Sequence, residues 1–122
     1  MNHRQRIWAK SDGKCWYCGC ELSEKGWHVD HIEPMRRNWW ENTSLHPERD
    51  TEENEVPACA SCNVQKGSLS VEAFRQKIVG YINSLNEYHT QYAVAKRYGL
   101  IRETQLPVRF WFETREETMD SE

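Results

Sequence analysis

Four cysteines, one aspartate, one histidine and two asparagines carry the chemistry that this chain can do. The cysteines stand in two Cys-x-x-Cys pairs, Cys15/Cys18 and Cys59/Cys62, with forty residues between Cys18 and Cys59. Each pair can offer two thiolates to one tetrahedral ion, and four thiolates make a closed structural zinc site. Such an ion closes a long loop, where a cross-link gains most against chain entropy. The rivals for four such cysteines are a redox dithiol or disulfide and a rubredoxin-like iron site. Between the pairs lies His28-Val29-Asp30-His31-Ile32-Glu33-Pro34, with Asn54 ahead of the second pair and Asn63 directly after it.

Those residue types suit hydrolysis of a phosphodiester. Water must lose a proton, and an imidazole neutral near pH 7 can take it. Charge that builds on the phosphate and the leaving oxygen is stabilised by a hard divalent cation, which prefers oxygen ligands. His31 offers the imidazole, Asp30 a carboxylate and Asn63 an amide carbonyl. Taken singly, each has a plainer use: Asp30 as a surface carboxylate, His31 as a packed histidine, Asn54 in a turn, Asn63 as a helix cap. Neighbours on a regular strand point to opposite faces, so Asp30 and His31 can share one phosphate only where the strand twists or ends.

Cys15-x-x-Cys18, His28 to Pro34, Asn54 and Cys59-x-x-Cys62-Asn63-x-x-Lys66 together resemble the HNH endonuclease family, over about half of the chain. The resemblance implies an α+β fold with a small ββα-metal (His-Me finger) core, a structural zinc site and flanking helices. It implies that His31 is the general base and that Asn54 fixes the loop that orients it. Asp30 and Asn63 would hold the catalytic divalent ion. The third family position is often histidine; Asn63 in its place makes an H-N-N variant, which favours Mg2+ or Mn2+ over tightly held zinc. DNA is the implied partner. Cutting both strands would call for a second copy or another protein. The rival function is a non-catalytic zinc module that binds nucleic acid or protein.

Around that core, Lys66, Arg36, Arg37 and His28 are candidates for substrate contact. His28 lies two residues before Asp30, on the same strand face. Arg36 and Arg37 with Trp39 and Trp40 could follow a DNA backbone, or form a solvated pair and two packed aromatics. Cys20 is expected as a free thiol near the zinc.

The elements that position these residues can be sketched. A short helix is expected over 2–11, stopped by Asp12-Gly13, then a strand over 27–32 stopped by Pro34. Residues 35–53 read as a long polar loop. Val71, Phe74, Ile78, Ile82 and Leu85 keep helical spacing from about Ser70, and a further helix runs from Thr90 to Tyr98. The helical extension thus covers about 70–99. Val108, Phe110 and Phe112 alternate, which predicts a late strand over 107–114. An acidic tail, 113–122, is expected to be disordered. One nuclease domain, 1–112, would hold the motif core at 15–66.

Composition bounds the rest. The chain has 122 residues, 38% hydrophobic, with six tryptophans supplying bulk that few aliphatics provide. Net charge is −3, yet residues 1–40 carry 7 Lys/Arg against 5 Asp/Glu and residues 63–112 carry 7 against 3. The acid sits in 41–62 (6 against 1) and in the tail (5 against 1). A local positive face on each flank of the motif is therefore compatible with the overall sign. No signal peptide or membrane-length apolar run is visible, so the expected setting is a reducing cytoplasm, with no membrane partner.

Overall fold

A computed structural model of the chain describes residues 1–38 and 40–120, the side chains of Arg37 and of residues 116–120 excepted. The expectations for Trp39 and for the Arg37 side chain therefore lie outside the described residues. In chain order the elements are α1 (His3–Ala9), β1 (His28–His31), β2 (Arg37–Asn38), β3 (Thr43–Ser44), β4 (Glu55–Ala58), α2 (Ala60–Lys66), α3 (Val71–Val79), α4 (Tyr81–Tyr88), α5 (Thr90–Arg97) and α6 (Trp111–Asp120). Two single 3-10 turns, Pro47–Arg49 and Glu52–Asn54, interrupt the loop before β4.

The chain forms two compact units, 1–71 with 109–122, and 72–108, where the sequence reading placed one domain over 1–112. In the first unit, β1 and β4 pair antiparallel, with His28 opposite Ala58, Asp30 opposite Val56 and His31 opposite Glu55. The short strands β2 and β3 form a separate hairpin inside the long loop. β4 contains Pro57, which lacks an N–H and suits a small sheet without a central strand. The Pro57 carbonyl instead accepts a hydrogen bond from the Trp16 amide at 2.9 Å, which joins the first knuckle to β4.

α1 starts with a reciprocal cap: the Asn2 side chain accepts from the Gln5 amide, and the Gln5 side chain accepts from the Asn2 amide. Its Ile7 is fully buried. The Lys10 ammonium ties the helix to the start of β4 by donating to the carbonyls of Glu52 and Glu55. Tyr17, Trp27, Val56, Ala58 and Phe110 are also buried in this unit.

The late strand expected over 107–114 is absent. Residues 101–110 have no regular element, and α6 begins at Trp111 and continues to Asp120, through the expected disordered tail. The alternating aromatics serve another purpose. The amides of Trp111 and Phe112 donate to the carbonyls of Tyr17 and Trp16, and the rings pack on the first knuckle. Trp16 stacks on Phe112 at 5.5 Å between centroids, and Tyr17 meets Phe110 edge-on at 5.6 Å.

In the second unit, Gly80 separates α3 from α4 where the sequence pattern read as one helix. α4 and α5 are joined through Glu103, whose carboxylate accepts from Asn86, Tyr92 and Lys96.

Candidate functional site

The four knuckle sulfurs, of Cys15, Cys18, Cys59 and Cys62, all lie within 4.8 Å of one another. Cys18 Sγ and Cys59 Sγ are 3.8 Å apart. Thiolates about 2.3 Å from one tetrahedral zinc stand about 3.8 Å from each other, so the cluster fits zinc. The backbone supports it on both sides. The Gly19 amide donates to the Cys15 carbonyl, and the Cys62 amide donates to Cys59 Sγ, making Cys59 the cap of α2. A hydrogen bond from the Cys62 thiol brings Cys15 down to about 4 and pushes Cys62 up. Cys20 is exposed and lies outside the four-sulfur group, though its thiol is pushed up to about 12 by desolvation and by Cys18.

β1, β4 and α2 follow one another in space as a hairpin and a helix, the second knuckle forming the joint between β4 and α2. Asp30, His31 and Asn63 line one pocket of about 270 Å³, with Val29, Met35, Arg36 and Ser68 among its other walls. Val29, Asp30 and His31 are consecutive, so the pocket runs along the end of β1 rather than over one of its faces. That arrangement answers the alternation problem: Asp30 is buried, His31 is half-buried, and both reach the same space.

Asn63 sits within α2, which Cys59 caps, so Asn63 is not the helix cap. Its side chain has no hydrogen-bond partner among the described residues. Asn54 is clamped. Its amide group donates to the carbonyls of Glu33 and Arg49, and its Oδ1 accepts from the Glu33 amide, at 2.8 to 2.9 Å. Its own carbonyl accepts from the Ile32 amide. Asn54 thereby fixes the chain just after His31 to the end of the long loop.

Lys66 does not face solvent as a phosphate contact would. Its side chain is fully buried, 3.2 Å from Asp30 Oδ2, and its ammonium donates to the His31 carbonyl at 2.9 Å. α2 packs on β1, and its last residue turns inward to the one buried carboxylate there. Tyr17 donates to the same Oδ2 at 2.5 Å. Burial, and then the Asp30 charge, push the Tyr17 hydroxyl far up, so it remains a donor. Asp30 Oδ1 has no partner among the described residues.

His28 is exposed and does not line the pocket. Arg36 does line it, with φ of +51°, a left-handed conformation rare for a long side chain. Trp40 is 97% exposed and so is not a packed aromatic. The long loop contributes a residue that the sequence did not single out: Asp50 Oδ1 lies 3.2 Å from His31 Nε2. Asp50 sits in an acidic run with nothing local to mark it. Tyr17 stood in plain view between Cys15 and Cys18, but its spacing carries no sign of Asp30.

No helix among the described residues is long and apolar enough to cross a membrane. No curated protein matches the chain. A family model described as HNH endonuclease matches residues 15–69. The match begins at the first knuckle cysteine and ends just beyond α2, so it takes in the cysteine cluster, the paired strands and the pocket, and it is over this stretch that the chain is similar to HNH endonucleases.

Proposed function

We propose that the chain is a metal-dependent DNA endonuclease. The observation that carries this reading is the pocket shared by Asp30, His31 and Asn63 on a zinc-braced ββα core. Asp30 Oδ1 and the Asn63 amide oxygen, both without partners among the described residues, fit the oxygen preference of Mg2+ or Mn2+. When bound, such an ion supplies stabilisation for the charge that develops on the scissile phosphate. His31 takes the proton from the attacking water. Asp50 on Nε2 favours the tautomer whose lone pair is on Nδ1, which leaves Nδ1 to act as the base. Asn54 holds the backbone beyond His31 and so keeps the ring in place. Arg36 at the rim is suited to a neighbouring phosphate.

Plasmid nicking with Mg2+ or Mn2+ tests the reading. The wild type should nick supercoiled DNA, and His31→Ala should lose about 10²-fold or more, the usual scale for general-base loss. Equal cleavage by both proteins would sink it, as would none by either across both metals.

A second reading, a zinc module that binds nucleic acid without cutting it, is favoured by one feature: Asp30, the carboxylate among the described pocket walls, already has a buried cationic partner. It predicts DNA binding that is indifferent to both His31→Ala and added magnesium.

A further inference from the structure

The proposed reaction makes no use of Lys66, yet Lys66 is among the most buried side chains of the molecule, at 1% exposure. Ammonium groups are rarely buried in this way, and here it meets Asp30 Oδ2 at 3.2 Å and the His31 carbonyl at 2.9 Å, with the Tyr17 ring centroid 5.9 Å away. It has no room to swing away. It ends α2, which Cys59 caps and which Cys62 anchors one turn before Lys66. Among the described residues Asp30 is the single carboxylate of the pocket walls, and Arg36 adds a second cation. Asp50, on the His31 ring, is mostly exposed, where water screens its charge.

The sum matters because hard cations are held by ligand charge. Asp30 neutralised by Lys66, with a neutral amide from Asn63, leaves the pocket without net negative charge. A phosphodiester brings the missing anion. We propose that Lys66 makes the divalent-ion site at Asp30 dependent on bound DNA: its fixed charge keeps the ion weakly held until a phosphate completes the site. Lys66 is a positioning residue in this scheme. It presents Oδ1 to the pocket by engaging Oδ2, and it sets the charge that the ion meets. By linkage, the ion tightens DNA by the same factor as DNA tightens the ion. The inference rests on the ion site proposed above.

The test measures Mn2+ binding by calorimetry or electron paramagnetic resonance in the zinc-loaded full chain. His31→Ala serves as the background so that DNA is not consumed. A short duplex at saturation should tighten Mn2+ by about tenfold or more, the scale of one fixed charge a few ångströms away in a wet pocket. Adding Lys66→Met should tighten Mn2+ without DNA by a similar factor and shrink the gain from DNA, whereas Lys66→Arg should keep the parent behaviour. Mn2+ affinity that is the same with and without DNA overturns the coupling. So does a Lys66→Met protein that retains its zinc and shows unchanged DNA-free affinity. If Lys66→Met does not retain zinc, the parent chain with and without DNA decides alone. Asp30→Asn separates the two levels. Mn2+ binding that survives it removes the ion site itself, while binding that needs Asp30 but ignores DNA removes only the dependence.

Discussion

Asn54 shows how one side chain can hold in place another that it does not touch. Its three side-chain hydrogen bonds join the segment after His31 to the loop that carries Asp50. Asn54→Ala should cost about 2–4 kcal/mol, three bonds at about 1 kcal/mol each, and should also lower nicking because the His31 ring loses its support. Urea unfolding checks the first and the plasmid assay the second; unchanged stability would remove the clamp from the account. At this scale the sequence was half legible. Cys15, Cys18, Cys59 and Cys62 announced themselves by spacing, because a metal imposes a fixed geometry on neighbours in sequence. The pairing of Asp30 with Lys66 did not, because thirty-six positions separate them and only the packing of α2 on β1 brings them together. Lys66, read from the sequence as a phosphate contact, looks inward for the same reason.

At the level of elements, periodicity found α1, β1 and α5, each of which carries its own start or stop signal. It failed for the last aromatics, where alternation mimicked a strand. Phe110 and Phe112 pack against Tyr17 and Trp16 of the first knuckle, not into a sheet. The backbone of Trp111 and Phe112 bonds to the knuckle's carbonyls, and a helix then leads away. β4 was missed because Pro57 argues against a strand, and nothing local reveals that its carbonyl serves Trp16. The contact between α6 and the knuckle is close: a Cβ added to Gly19, whose φ is +77°, would lie 2.7 Å from the Trp111 ring. Phe110 is 2% exposed in that layer. Phe110→Ala should destabilise the protein by about 3–5 kcal/mol, as for other buried aromatics. It should also speed the release of zinc to a chelator, because the layer over Tyr17 and the first knuckle thins. Zinc release at the wild-type rate would show that α6 covers the clamp without protecting it.

For the whole molecule, the two units divide the work. Residues 1–71 and 109–122 contain both candidate ion sites, while 72–108 is helical and carries 5 Lys/Arg against 3 Asp/Glu. That division has no mark in the sequence, because the apolar helical spacing that starts at Val71 runs straight past it. Zinc should matter to the first unit as structure rather than as chemistry. A chelator should therefore abolish nicking and loosen the tryptophan-rich core, and Zn2+ should restore both where excess Mg2+ does not. Near-ultraviolet circular dichroism and the plasmid assay follow the two effects, and cleavage by zinc-free protein in Mg2+ would contradict them. The route of the chain adds a temporal order. Trp16 and Tyr17 leave the ribosome before Phe110, Trp111 and Phe112, which cover them and follow only after the whole of 72–108. A nascent chain therefore carries its first knuckle uncovered until the whole of 72–108 has been made.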